Sequence, residues 1–341
     1  MGLRAWWKRI AGGSADAGDA EGVEDAVERV VQVANPRLRL VRRYRARLAP
    51  AVAVSLAHVR SQIAAIPAAR EASAASWAAD PYMHAFFATA GDLARAFGRA
   101  PELRAHFERN PDTREACAIL SMAMTERRIL GMGLDGTTVR SDVAQTSVSF
   151  GDYRIRLCGR TEMELKAEIE RRLLEQLALA GLARAAEDQA RRTELEQERA
   201  LLKTRLRLLE RQGVGMRATV GVEEGAGPAE QAHLASQLDE NARELEGLGG
   251  GAQLLDSELE RLRQVLAEPA QHLYVTTKAL RLNRMNIVAE NAMQDGVPFE
   301  FHVARIPGDP PQDRAFALVR FARADLLPAD QVVEEAARLL M

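Results

Sequence analysis

Residues 234–266 read LASQLDENARELEGLGGGAQLLDSELERLRQVL, and the spacing of their apolar positions decides the fold. Leu238, Leu245, Ala252, Leu259 and Leu266 fall seven apart. Leu234, Asn241, Leu248, Leu255 and Leu262 form a second such series, set between the first. Two interleaved series of this kind are the core positions of a heptad repeat, which is buried only when another helix faces it. Asn241 is the one polar member, a residue type that fixes register at a cost in stability. Gly249-Gly250-Gly251 interrupts the run. Each glycine there costs about 1 kcal/mol relative to alanine, yet the heptad phase continues across them.

A facing helix is available upstream. Thr161 to Gln212 mixes acidic and basic residues without a proline, and Leu195, Leu202 and Leu209 are seven apart, with Leu206 in the same seam. The glycine-rich stretch 213–228 separates the two runs, and a short connection favours an antiparallel pair. The sequence therefore predicts a coiled-coil hairpin over 161–268, ended by Pro269. Its core is expected to include Leu195, Leu202, Leu209, Leu238, Leu245, Leu259 and Leu266.

Alternating segments flank this hairpin on both sides. Val148 and Phe150 precede Gly151-Asp152, and Tyr153, Ile155 and Leu157 follow it; Gly-Asp between alternating runs reads as a two-residue hairpin turn. Phe299, Phe301 and Val303 alternate, then a proline-rich turn at 307–311 leads to Ala315, Ala317, Val319 and Phe321. One hairpin is marginal alone, so two are expected to pair into one small antiparallel sheet. The coiled coil would protrude from it. Residues 137–160 plus 294–341 thus read as a small α+β domain with a C-terminal helix over 329–340. Residues 269–293, with Leu273, Leu280, Ile287 and Val288, read as a connecting helix.

Residues 23–136 read as a helical domain. Asp80-Pro81 and Asn110-Pro111 each place a capping side chain before a proline suited to a first helical turn. Met83, Phe86, Phe87, Leu93, Phe97, Leu103 and Phe107 are the expected core. A methionine-rich helix is predicted over Thr113–Leu130, carrying Cys117, Leu120, Met122, Met124 and Ile129. Gly131 to Gly136 matches G-x-G-x-x-G, but a dinucleotide fingerprint needs a strand before it and a helix after it. Here a helix is expected before and an extended segment after, so Gly131 reads as a helix C-cap.

Arg29 to Arg70 contains nine arginines and no carboxylate. Arg39, Arg42, Arg43 and Arg47 fall at helical spacing and, with Arg37, form an expected anion-binding face. Acidic residues such as those between Asp16 and Glu28, anionic lipid, or nucleic-acid phosphate would each suit it. Only Tyr44 is placed to stack on a base, which weakens the last. At the start of the chain, Leu3, Trp6, Trp7 and Ile10 make an apolar stripe edged by Arg4, Lys8 and Arg9. That pattern suits a short helix at a lipid headgroup boundary. Residues 11–22 are small, acidic and glycine-rich, as in a flexible linker.

The balance of the 341 residues is near neutral, with 46 basic and 48 acidic side chains, so no global charge draws the chain to nucleic acid. Aromatics at 5% disfavour an all-β protein. No uncharged apolar run reaches the length of a membrane-spanning helix. Cys117 and Cys158 alone make neither a disulfide framework nor a zinc site. The alanine and arginine bias and scarce cysteine fit a bacterial cytoplasmic chain. The six histidines form no metal motif, and no nucleophile elbow is present. Asp135, Asp142, His302 and Arg305 are the one candidate polar cluster. The expected protein is mostly α. It is a non-enzymatic coiled-coil scaffold in the cytoplasm, held at the inner face of the membrane. A protein is the expected partner of the coiled coil, with a homodimer and anionic lipid as further associations and no cofactor or metal. The alternatives are a nucleic-acid factor using Arg37–Arg60, or an enzyme without a recognisable motif.

Overall fold

The computed structural model describes residues 17–135, 138–217, 227–248, 254–273, 275–289, 296–306 and 312–328. The chain is mostly α-helical and adds a six-stranded sheet. In chain order the elements are α1 (Ala17–Ala34), α2 (Tyr44–Ala64), β1 (Arg70–Glu71), α3 (Ala74–Ala79), α4 (Pro81–Phe86), α5 (Ala90–Gly98) and α6 (Pro101–Arg109). There follow β2 (Glu115–Asp135), β3 (Thr138–Gly159), α7 (Glu162–Arg217), α8 (Gly227–Gly247), α9 (Leu254–Ala267), β4 (Val275–Leu282), β5 (Val297–Ile306) and β6 (Gln312–Ala322). Two compact units divide the chain: residues 1–56 with 174–269, and residues 57–173 with 270–341.

The first unit is helical. Val23, Val27, Val30, Val31 and Ala34 of α1 are buried at spacings of three and four, one stripe of an amphipathic helix. A 3₁₀ turn over Pro36–Leu40 follows, started by Asn35, whose side chain accepts a hydrogen bond from the Arg37 amide. The first half of α2 buries Leu48 and Val52, and α9 buries Leu259, Leu262 and Leu266. Ser55 Oγ donates to the Leu266 carbonyl at 2.6 Å, which satisfies a hydroxyl with no solvent exposure. Gly181 of α7 lets α9 approach: a Cβ there would lie 2.7 Å from Leu262 Cδ1 and 3.0 Å from Leu262 Cα.

The second unit is built on the sheet, in the order β3-β2-β6-β5-β4 with β1 parallel to β6 at Val319 and Arg320. The other pairings are antiparallel. Residues 286–289 join the two ends of that order. The Val148 amide donates to the Asn286 carbonyl, the Val288 amide to the Thr146 carbonyl and the Ala289 amide to the Arg281 carbonyl, each at 2.8 Å. One face takes Ala118, Leu120 and Met122 from β2 and Ala315, Val319 and Phe321 from β6, the alternation that a pleated strand imposes. Helices α4 to α6 fill it with Met83, Phe86, Phe87, Leu93, Phe97, Leu103 and Phe107. Phe97 stacks on Phe321 with ring centroids 4.8 Å apart.

Several expectations are corrected. Thr113–Leu130 is not a helix: nearly all of it lies in β2. Alanine, leucine and methionine favour helix locally, but Ala116, Ala118, Leu120 and Met122 alternate inward, and burial of that face outweighs propensity. The helical domain therefore ends before residue 115, and Gly131 is a strand residue paired with Val143, not a helix C-cap. Gly151-Asp152 is not a turn. It lies within the continuous β3, at a register shift, with Asp152 at φ 47°. The turn dipeptide supplies the left-handed residue of a bulge instead. Residues 275–282 form β4 where a connecting helix was expected. Asn110 follows α6 rather than starting a helix, and its amide side chain donates to the His106 carbonyl. Helix α1 already begins at Ala17, within the expected linker. The expected helices over 1–10 and 329–340 lie outside the described residues.

Candidate functional site

Unit one carries the residues expected to do the binding. Contacts between α7 and the following helices step along both in opposite directions. Arg205 pairs with Glu230 at 2.7 Å, Arg191 with Glu244 at 2.9 Å, and Arg261 with Asp188. Between them Asn241 Nδ2 donates to the Leu195 carbonyl at 3.0 Å and to Glu198 at 3.1 Å. Arg192 donates to the Leu248 carbonyl at 3.0 Å. The heptad positions are the sheltered ones. Leu195, Leu234, Asn241, Leu259, Leu262 and Leu266 are buried, while Leu202, Leu209, Leu238 and Leu245 are half-buried. Asn241 Oδ1 is buried without a hydrogen-bond partner among the described residues.

A cleft of about 900 Å³ lies where α7, α8 and α9 meet, lined by Leu182, Ala185, Ala186 and Leu248 and by a ring of charges. Those charges are mutually engaged. Arg47 pairs with Asp256 and Glu260, and Glu258 accepts both hydrogen bonds from Asn35 at 2.9 Å. The Arg263 guanidinium beside Glu260 holds that carboxyl below its ordinary range. The cleft is thus lined by polar groups that are mostly held by partners already.

The arginine face is divided by the structure. Residues 36–40 are 3₁₀ and Arg43 has φ 58°, so the five arginines share no single helix face. Arg39 pairs with Glu28 at 3.2 Å, and Arg47 is held as above. Glu28 also takes a 2.6 Å hydrogen bond from the Tyr44 hydroxyl and a 2.7 Å one from Arg45. The Tyr44 bond, with the neighbouring arginines, keeps the Glu28 carboxyl below its ordinary range. Arg37, Arg42 and Arg43 are exposed and have no carboxylate within ion-pair distance among the described residues.

Of the expected polar cluster in unit two, the side chains of Asp135, Asp142 and Arg305 lie outside the described residues. His302 stands on β5 opposite Phe316, ring centroids 6.2 Å apart, and burial pushes its pKa down. Burial pushes the Cys117 thiol up and the Cys158 thiol up to about 11, so neither supplies a thiolate at neutral pH. Among the described residues no group of three His, Cys, Asp or Glu is placed to hold a metal. No helix among them is long and apolar enough to cross a membrane. The membrane-contact residues Leu3, Arg4, Trp6, Trp7, Lys8, Arg9 and Ile10 lie outside the described residues.

Among the exposed leucines that the sequence did not single out are Leu40, Leu201 and Leu208. Leu201 and Leu208 on α7 are 72% and 54% exposed, and Leu40 is 79% exposed. The doublets Leu201-Leu202 and Leu208-Leu209 carried the signal, since one leucine of each is surplus to the seam. No family model, no curated protein and no solved structure matches the chain.

Proposed function

We propose that the chain is a non-enzymatic interaction protein. In this reading α7, α8 and α9 form an antiparallel coiled-coil hairpin that presents a surface to a protein partner. The observation that supports it is the opposed stepping of the α7 contacts, Arg205 with Glu230 and then Arg191 with Glu244, around sheltered heptad positions. A two-helix seam leaves its flanks open, and Leu201 and Leu208 sit on such a flank, seven residues apart. The N-terminal stripe of Leu3, Trp6, Trp7 and Ile10 holds the protein at the inner face of a bacterial membrane, so that the hairpin reaches its partner there.

The test is retention of a stoichiometric partner from an extract of the native host. The full chain should retain it, and the double substitution Leu201→Glu with Leu208→Glu should lose it. Both positions are exposed, so the variant should fold within about 0.5 kcal/mol of the parent. A partner held equally by both proteins, or none held by the parent, would contradict the reading.

A further inference from the structure

The turn between α1 and α2 combines an exposed apolar side chain with a local excess of arginine. It turns a leucine outward, and the arginines nearest it in sequence include three with no carboxylate at ion-pair distance among the described residues. The cause is the 3₁₀ geometry. With three residues per turn, Leu38 and Val41 lie on one side, and both are buried, at 0% and 7% exposure. Leu40 is therefore forced to the opposite side, where it is 79% exposed, as exposed as any large apolar side chain among the described residues. Arg37 precedes it, and Arg42 and Arg43 follow. Arg43 occupies a left-handed backbone conformation at φ 58°, which few non-glycine residues adopt.

The charge around Leu40 is open to a ligand. Glu28, the acidic side chain bound to this turn, already accepts hydrogen bonds from Arg39, Arg45 and Tyr44. Arg37, Arg42 and Arg43 are left over, three cations about one apolar side chain. Nucleic acid fits this surface less well than lipid. Tyr44, the one aromatic available to stack on a base, has its hydroxyl committed to Glu28 at 2.6 Å.

We propose that the turn Pro36–Arg43 is a docking wedge for an anionic lipid bilayer, with Leu40 entering the headgroup boundary and Arg37, Arg42 and Arg43 binding lipid phosphates. The proposal rests on the peripheral-membrane reading and adds to it a site independent of the N-terminal stripe. Two modest signals of this kind are what stable membrane residence requires.

The experiment is flotation of the full chain with vesicles of phosphatidylglycerol and phosphatidylcholine, and with phosphatidylcholine alone. Four proteins are compared: the parent, Leu40→Ser, the triple variant Arg37→Gln with Arg42→Gln and Arg43→Gln, and Trp6→Ala with Trp7→Ala. The parent should float with the anionic vesicles and be released by high salt. Neutralising three basic residues should weaken partitioning about a hundredfold. Leu40→Ser should weaken it about tenfold through lost apolar burial. Loop variants that float like the parent while the tryptophan variant does not would overturn the wedge and leave the N-terminal anchor standing. Loop variants that fail while the tryptophan variant floats would support the wedge alone. A parent that does not float overturns both. Binding of short duplex DNA that depends on the three arginines, without vesicle binding, would reassign the turn to nucleic acid.

Discussion

His106 stands on α6 with 5% of its surface exposed, and its Nε2 has no hydrogen-bond partner among the described residues. Burial, with Arg109 nearby, pushes its pKa below the ordinary 6.5. The unfolded chain therefore takes up a proton before the folded one does. Stability should be fully present above pH 6.5 and fall as pH drops below it. Melting temperatures should be lower at about pH 5.5 than at about pH 7.5, and His106→Leu should reduce that difference, the half-buried His302 keeping the rest. Asp152 shows the opposite kind of group. The Arg314 guanidinium, 5% exposed, donates to its carboxylate at 2.7 Å and to Ser121 Oγ at 2.8 Å. That contact lowers the Asp152 pKa from 3.8, so its contribution is present above that pH and lost as the solution is acidified through the lowered value. Asp152→Ala leaves Arg314 buried without its counter-ion. It should cost about 2 kcal/mol in denaturant titration, below the figure for fully buried pairs because Asp152 is half exposed. The sequence marked Gly151-Asp152 as special but not why: the partner is 162 residues away, and local turn chemistry does not distinguish a hairpin from a bulge.

Among the elements, α7, α8 and α9 were the most legible as helices, because apolar residues recurring at helical spacing over long stretches distinguish helix from strand. The helix expected over Thr161–Gln212 is observed as Glu162–Arg217. β2 was the least legible, since its short alternation of alanines and methionines is invisible beneath strong helix propensity. Packing detail within α7 was hidden as well. Gly181 would be improved by alanine in an isolated helix by about 1 kcal/mol. In the folded chain the added methyl meets Leu262 side chain and backbone. Gly181→Ala should therefore be net destabilising, by about 1 kcal/mol or more in a thermal melt. Asn241→Leu should act in the other direction, raising stability by about 1 kcal/mol because the orphaned Oδ1 is removed, while loosening the register of the seam.

At the scale of the whole molecule, function was less legible than fold. The described residues that carry chemistry are mostly paired with one another, and the proposed binding features are exposures that no motif encodes. Leu40 is recognisable only once the 3₁₀ turn places Leu38 and Val41 inward. The arginine face read from helical spacing was reduced to Arg37, Arg42 and Arg43 by partners distant in sequence, such as Asp256. Self-association through Leu201 and Leu208 should be weak, because two leucines fall far short of the roughly 1,600 Å² of a stable interface. Sedimentation equilibrium should show a concentration-dependent dimer that Leu201→Glu with Leu208→Glu abolishes. The antiparallel hairpin itself is best tested by introducing Arg205→Cys with Glu230→Cys, treating the full chain with a short bis-maleimide, and mapping the product by mass spectrometry. Positions 205 and 230 should be joined within single chains, with a yield independent of protein concentration. Failure of the two sites to join, or joining only between chains, would contradict the antiparallel arm.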